Sequence, residues 1–289
     1  MSLATLADIA DAYTAGRSWH GFWRRGGPSM TTGVWTDMSY AAGIPVANYY
    51  AAAPYVSATL NPNEGILHGP AVNAAGRRKY LHKALLMPVA AIGQAVFYLH
   101  DIVMFYPFVD GDGGEQPMDN QIPIPRYSGL GCKIMLVSQG AGIANAQDTI
   151  ITYTNSAGVQ KTWRGFTANA NAAGQLISGP TDGTQPSFAA YPHGNPYIIG
   201  QGDAGVRSID SINMLSGVGG IFAACIVKPL GIVSMQINEA TPIEVDYARD
   251  NLRIPMAEIE DGAYLNLIGR SSTTAAPATL HGQFDFIWS

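Results

Sequence analysis

The chain has 289 residues, a net charge of −5 and 47% hydrophobic residues, but only 13% of its residues are charged, about half the usual ~25%. Its basic residues are scattered and no uncharged apolar stretch reaches ~18 residues, which argues against nucleic-acid binding through phosphates and against a transmembrane helix or other membrane association. A surface so poor in charge is weakly protected against association, which favours a subunit that assembles with other subunits.

Residues 1–90 are predicted to form an extended, partly helical arm. Apolar residues spaced three and four apart predict a short helix over residues 3–15, and the lack of a basic start before a long apolar run argues against a signal peptide. Residues 30–75 hold many Gly, Pro and Asn breakers but too many apolar clusters for a disordered linker. We expect this stretch to pack on the same chain or on a neighbour. A second short helix is predicted over residues 76–92, ending at Pro88.

The arm also carries the aromatic residues that we interpret as a candidate interface. They are Trp19, Phe22, Trp23, Tyr49, Tyr50 and Tyr55. Aromatic side chains this numerous need a surface to lie on, since burying each one removes ~150–250 Å² from water. The arm lacks the regular apolar periodicity of an independent core. We therefore predict that it acts as a docking arm and not as a domain of its own.

Residues 91–289 are predicted to form the body of the protein. About nine short segments after residue 93 alternate in the period-two manner of half-buried strands, separated by Gly and Pro turns. Residues 151–166 predict a hairpin with its turn at residues 155–158. No strand–helix–strand alternation occurs, which argues against a doubly wound sheet. The expected fold class is mainly β: an antiparallel, jelly-roll-like β-sandwich with the extended, partly helical N-terminal arm.

No constellation of residues predicts catalysis or a cofactor. There is no GxSxG elbow, and Cys132 and Cys225 lie in apolar segments where a thiol stays protonated. The six histidines never have the HxH or HExxH spacing of a zinc site, and "GVGGIF" at residues 217–222 lacks the last glycine of a dinucleotide fingerprint. Glycoside hydrolysis needs two carboxylates at a fixed separation, whereas the acids after residue 109 adjoin flexible glycines. We therefore predict a non-enzymatic protein that needs no cofactor.

The loop after the first long apolar run is the best candidate for a metal site. Its four carboxylates are Asp110, Asp112, Glu115 and Asp119. Asp110 and Asp112 fit the first and third positions of an EF-hand loop, but Gly114, Glu115 and Gln121 stand where the ligand at position five, the invariant glycine and the bidentate glutamate belong. The alternative is a glycine-rich turn with solvated acids. We predict no metal site, although an ion held by Asp110, Asp112 and Glu115 stays open.

The same region carries a resemblance to a known group of proteins. Three motifs carry it: "YPFVD" at residues 106–110, "QPMDN" at 116–120 and "IPRY" at 124–127. With the segments at residues 149–158 and 202–230, they resemble a loosely annotated family of tailed-bacteriophage virion proteins. The resemblance covers about residues 95–230. In physical terms, Pro107 ends a core strand, the prolines before Tyr127 force an extended path into the next strand, and we expect Arg126 to pair with an acid of the loop.

The resemblance implies a virion structural subunit that assembles in the host cytoplasm and has no catalytic residues to transfer. The first interpretation is a capsid decoration or cement protein that stabilises the head. Its partners would be copies of itself, as a homotrimer, and the major capsid protein or other virion subunits. The alternative is a neck or tail component, with a receptor- or carbohydrate-binding role in which exposed Trp and Tyr side chains stack on sugars.

Overall fold

The computed structural model describes most of the chain, and all statements below concern these residues. They are residue 3 and residues 5–26, 30–90, 93–143, 147–178, 195–216, 219–235, 241–249, 256–272 and 279–289. The elements are one helix, α1 (Leu6–Thr14), and the strands β1 (Ser18–Arg25), β2 (Trp35–Asp37), β3 (Gly43–Ile44), β4 (Lys79–Pro88), β5 (Ala95–Asp110), β6 (Glu115–Pro117), β7 (Lys133–Ser138), β8 (Gln147–Asn155), β9 (Gln160–Thr167), β10 (Val206–Met214), β11 (Ile221–Met235), β12 (Ile243–Asp246), β13 (Glu258–Ile259), β14 (Leu265–Ser271) and β15 (Leu280–Trp288). Short 3-10 turns lie at Met38–Tyr40, Pro62–Glu64, Asn73–Ala75 and Tyr127–Gly129.

The strands form three antiparallel sheets. A central sheet has the order β2-β14-β5-β11-β7, a six-stranded sheet has the order β12-β4-β15-β1-β3 with β13 also paired to β4, and a four-stranded sheet has the order β6-β10-β8-β9. The hairpin of β8 and β9 turns at residues 155–158, where Gly158 has a φ of +79°. The prediction of a mainly β, antiparallel sandwich with a short N-terminal helix is therefore confirmed.

Three apolar clusters hold the sheets together. The first lies between the six-stranded and central sheets and includes Trp23, Leu86 and Phe284. The second joins the central sheet to the four-stranded sheet. Strand β11 contributes to two clusters from its two faces. Phe222, Ala224 and Ile226 belong to the second cluster, and the residues that alternate with them belong to the third. These alternating residues are Ala223, Cys225 and Val227.

The segment before β4 covers the third cluster. Tyr50 and Leu60 belong to that cluster together with Phe105 of β5. Backbone hydrogen bonds fix the segment to β5, since Ala58 and Phe105 exchange two N–H···O bonds of 2.9 Å. The Tyr55 N–H also donates to the Pro107 carbonyl at 3.0 Å. The extended stretch predicted over residues 30–75 therefore packs on its own chain.

The predicted boundary at residue 90 does not separate two bodies in the structure. Strand β1 lies inside the six-stranded sheet, paired with β15 along its whole length and with β3 on its other edge. Strand β4 pairs with β15 on one edge and with β12 and β13 on the other. Residues 18–88 thus supply half of this sheet. The docking-arm interpretation is wrong as a description of the fold, because the arm's strands complete the body's core.

The helix predicted over residues 76–92 is also wrong, since β4 occupies most of that stretch. Its side chains alternate between buried and partly exposed positions from His82 onwards, with a bulge opposite Asp285 and Phe286. Buried polar residues at Lys79 and His82 obscure the period-two pattern in the sequence. Within the described residues, the one helix is too short and too polar to cross a membrane.

Candidate interface

The corner at the end of β5 is held by the residues that carry the resemblance. Tyr106 donates from its hydroxyl to Asn120 Oδ1 at 2.5 Å and accepts from the Ile209 N–H at 3.2 Å. Asn120 Nδ2 donates in turn to the Ile209 carbonyl at 3.0 Å. The first two motifs therefore join the central sheet to β10 through a closed set of hydrogen bonds. These polar atoms are hydrogen-bonded within the subunit, as buried polar groups usually are. Their role in the corner is therefore structural.

The third motif makes a buried ion pair. Arg126 donates from Nε and Nη2 to the two carboxylate oxygens of Asp101 at 2.7 and 2.8 Å, and Nη2 also donates to the Ile102 carbonyl at 3.0 Å. Asp101 accepts the Tyr264 N–H at 2.9 Å. Burial raises the pKa of the Asp101 carboxyl, and the Arg126 guanidinium opposes this rise. The expectation that Arg126 pairs with an acid of the loop is wrong, because its partner lies within β5.

The acidic loop is closed by the side-chain amide of Gln116. Gln116 Oε1 accepts the Asp110 N–H and its Nε2 donates to the Asp110 carbonyl, both at 2.8 Å. The carboxylates then accept from four different groups: the N–H of Asp112 and of Gly219, the Ser211 hydroxyl and the Gln121 amide. Among the described residues, no three His, Cys, Asp or Glu side chains are grouped so as to bind a metal ion.

Chelators should leave the fold intact, because each carboxylate of this loop already has a protein donor. We expect the same melting temperature with and without EDTA, measured by circular dichroism. A fall of more than ~5 °C, about 2 kcal/mol for a domain of this size, would show that a structural metal holds the loop.

The six candidate interface aromatics do not share one environment. Trp23 and Tyr50 are buried in the first and third clusters, and Tyr55 is partly buried against the second. Trp23 and Tyr50 cannot dock a partner without unfolding the subunit, so their assignment to an interface is corrected, whereas the Tyr55 side chain stays partly exposed. Phe22, Tyr49 and Trp19 are 69%, 57% and 41% exposed.

Phe22 lies on the outer face of the six-stranded sheet together with three other apolar side chains. Directly paired residues of neighbouring strands project to the same face. In one row across the sheet, Phe22 pairs with Gln283, which pairs with Leu85. In the next row, Ile44 pairs with Arg24, Arg24 with His281, and His281 with Met87. We call Phe22, Ile44, Leu85 and Met87 the outer-face patch. Ile44 is 65% exposed, and Leu85 and Met87 are half-buried.

Polar and charged pairs border the outer-face patch. His20 Nδ1 lies 2.7 Å from Asp285 Oδ1 across β1 and β15. Lys83 Nζ lies 3.3 Å from Glu244 Oε1 and 3.6 Å from Asp246 Oδ2 across β4 and β12. Arg24, His281 and Gln283 lie between the four apolar residues on the same face. Mixed apolar and polar composition is common in protein–protein interfaces.

Two buried polar clusters were not found from the sequence. Asp37 accepts from the Tyr50 hydroxyl, from Asn266 Nδ2 at 2.5 Å and from the Ser39 N–H at 2.8 Å. This carboxyl joins β2, β14 and the covering segment, and burial raises its pKa. It satisfies the rule that buried polar groups are hydrogen-bonded, so its role is structural.

The second cluster surrounds Lys79, whose side chain is completely buried. Its Nζ donates to the Pro70 carbonyl at 2.7 Å and to His68 Nδ1 at 3.0 Å, and lies 3.7 Å from Asp261 Oδ1. His68 Nε2 donates to the Ala263 carbonyl at 3.1 Å. Burial lowers the pKa of Lys79, and burial together with Lys79 lowers the pKa of His68 to about 4. The ammonium thus donates two hydrogen bonds and forms an ion pair with Asp261, which is the pattern of a structural lysine.

Comparison with known proteins gives little further information. No protein-family model matches the chain, and no curated protein matches it. Among solved structures, the chain is similar to the one described as "Crystal structure of infectious bursal disease virus VP2 subviral particle", at 8% identity over 93% of this chain and 80% of that chain, with a TM-score of 0.16. A similarity at that level carries no argument about fold or function.

Proposed function

We propose that this chain is a non-enzymatic structural subunit of a phage virion, a capsid decoration protein that forms a homotrimer on the major capsid protein and stabilises the head. The observation that carries the proposal is the outer-face patch, in which exposed and half-buried apolar side chains alternate with Arg24, His281 and Gln283 on one face of a sheet. Such a surface serves subunit contact better than solvent contact. The low charged fraction of the whole chain supports the same conclusion.

The residues of the three resemblance motifs support a structural role in a different way. Tyr106, Asn120 and Arg126 direct their polar atoms to partners inside the subunit. Their function is to hold the corner and keep the central and four-stranded sheets in register. A corner of this kind supports a rigid assembly unit and provides no group aimed at a substrate.

Copy number in purified virions tests the proposed location. Quantitative gel densitometry or mass spectrometry against the major capsid protein should give hundreds of copies for a decoration protein. Roughly three to twelve copies, the number expected for one closed ring, would instead indicate a neck or tail component. Absence from the virion would overturn both versions of the proposal.

Replacing Phe22 by glutamate should weaken self-association. Burying a phenylalanine stabilises a contact by ~1.5–3 kcal/mol, and loss of ~1.4 kcal/mol is a tenfold change in affinity. Light scattering at micromolar concentration should therefore show an oligomer for the unmodified chain and a shift toward monomer for Phe22→Glu. Val159→Glu is the matched control, since Val159 is 51% exposed in the β8–β9 connection, away from the patch. A strictly monomeric unmodified chain would count against the interface.

A further inference from the structure

The 3-10 turn Pro62–Glu64 separates two surface clefts. One cleft, of about 250 Å³, includes Pro62 and Asn63 of the turn and Trp19 in its lining. The other, of about 340 Å³, includes Glu64 of the turn, the preceding Asn61 and Tyr49. We call them the Trp19 cleft and the Tyr49 cleft. The two exposed aromatics that lie outside the outer-face patch therefore each line a cleft beside the same turn.

Each cleft combines the same three kinds of group. The Tyr49 cleft has its aromatic ring, the Glu64 carboxylate and the amides of Asn48 and Asn61 above the buried side chain of Leu60. The Trp19 cleft has its indole, the Asp261 carboxylate and the Asn63 amide, with the remaining lining contributed by Pro62, Leu67, His68, Gly69, Ala71 and Gly262. A mainly apolar surface with a few convergent polar groups is the usual composition of a small-ligand site.

The polar groups of the Tyr49 cleft are held in position and keep unused capacity. Asn48 Oδ1 accepts the Tyr50 N–H at 3.0 Å and Asn61 Oδ1 accepts the Asn63 N–H at 3.1 Å. Their Nδ2 groups donate to Glu64 Oε2 and Oε1 at 3.4 Å each, which is beyond the usual hydrogen-bond length. A carboxylate offers about four acceptor positions. Glu64 can therefore accept ligand hydroxyls in addition to these weak bonds.

The groups of the Trp19 cleft are fixed as well. A Cβ on Gly69 would lie 2.8 Å from Trp19 Cβ, so the indole lies directly against the backbone of residue 69. Asp261 accepts the Val72 and Asn73 N–H groups at 3.0 and 2.8 Å. The buried Lys79 ammonium lies 3.7 Å from Asp261 Oδ1 and compensates the negative charge of this carboxylate.

These features select the ligand class. A saccharide ring has an apolar C–H face that fits the electron-rich face of an aromatic ring, and its hydroxyls match carboxylate and amide groups. Among the described residues that line the two clefts, none is lysine or arginine. The Tyr49 cleft contains the Glu64 carboxylate, while the charge of Asp261 in the Trp19 cleft is compensated by Lys79. This disfavours acidic saccharides. We propose that the two clefts beside the Pro62–Glu64 turn are adjacent subsites for one neutral oligosaccharide. This site is independent of the outer-face patch and of copy number.

Isothermal titration of the full chain tests the site with three neutral probes, maltohexaose, cellohexaose and chitohexaose, and with hexagalacturonate as the acidic comparison. At least one neutral hexasaccharide should bind with a Kd of about 1 mM or tighter, and hexagalacturonate should bind more weakly. Binding should shift the tryptophan fluorescence, since Trp19 is half-exposed in its cleft. No saturable binding of any neutral probe at up to ~10 mM would overturn the proposal.

Variants separate the clefts from other exposed apolar residues. Tyr49→Ala and Glu64→Gln should weaken binding at least about tenfold, with unchanged melting because Tyr49 is exposed and glutamine keeps the shape of the Glu64 side chain. Val159→Ala is the control, because Val159 is exposed outside both clefts and the outer-face patch, and it should bind as the unmodified chain does. Trp19→Phe keeps the packing on Gly69 and should remove the fluorescence shift. Equal affinity of Tyr49→Ala and the unmodified chain would overturn the site, and so would stronger binding of the acidic probe.

Discussion

A chain that begins at residue 91 should fail to fold. It would lack β1, β3 and β4, so that β15 would have no paired strand on either edge and β12 and β13 would have no partner. It would also lose several large buried side chains of the first cluster, among them Trp23, Leu81 and Leu86. Each contributes ~1.5–3 kcal/mol, and the sum approaches the whole net stability of ~5–15 kcal/mol. Circular dichroism should show no cooperative melting.

A chain that begins at residue 17 is the control for this truncation. It loses α1 and the contact between the Tyr13 hydroxyl and His82 Nδ1 at 2.7 Å, but it keeps every strand. We expect it to fold, with a melting temperature lower by less than ~10 °C. If the chain from residue 91 melted as cooperatively as the full chain, the first 90 residues would be dispensable for the fold, and the docking-arm interpretation would return.

Strand β1 illustrates why the N-terminal part was misread from the sequence. Its inward residues are Gly21, Trp23 and Arg25, and its outward residues are His20, Phe22 and Arg24. The alternation is regular in space but not in hydrophobicity. Gly21 is required because a Cβ there would lie 2.2 Å from the Leu67 carbonyl oxygen. Arg25 is buried because its guanidinium donates to the Pro45 carbonyl. Both partners are distant in sequence, so local periodicity cannot reveal them.

The later strands were easier to predict because buried and partly exposed side chains alternate regularly along them. In β8, every second side chain from Gln147 to Asn155 is buried, and the turn to β9 has the expected Asn and Gly. The exposed interface residues could be predicted only after the strand that carries them had been assigned. Phe22 and Trp23 are adjacent and equally apolar, and only strand parity shows that one is exposed and the other buried. Tyr50 is buried and donates from its hydroxyl to Asp37, whereas Tyr49 is exposed. The local sequence does not distinguish these two neighbouring tyrosines.

Replacing Arg126 by methionine should cost the largest free energy of any single substitution considered. The change leaves the Asp101 carboxylate buried without its cation, and breaking one side of a buried pair typically costs ~3–5 kcal/mol. Chemical denaturation at pH 7.5 should show the loss. Arg164→Met is the matched control, because Arg164 pairs with Asp148 at an exposed position and exposed pairs contribute little. Its denaturation midpoint should be unchanged.

The pH dependence gives a second test of the same pair. Without Arg126, burial outweighs the remaining hydrogen bond from the Tyr264 N–H and raises the folded-state pKa of Asp101 above the unfolded value of ~3.9, so the folded variant binds the proton more tightly than the unfolded chain does. The deficit of Arg126→Met relative to the unmodified protein should therefore be smallest below pH ~4 and grow as the pH rises through the raised pKa. Adding Asp101→Asn removes the buried charge and should recover part of the loss at neutral pH. A deficit that is independent of pH and unchanged in the double variant would mean that Arg126 stabilises the corner by packing and by its bond to the Ile102 carbonyl, and not by neutralising Asp101.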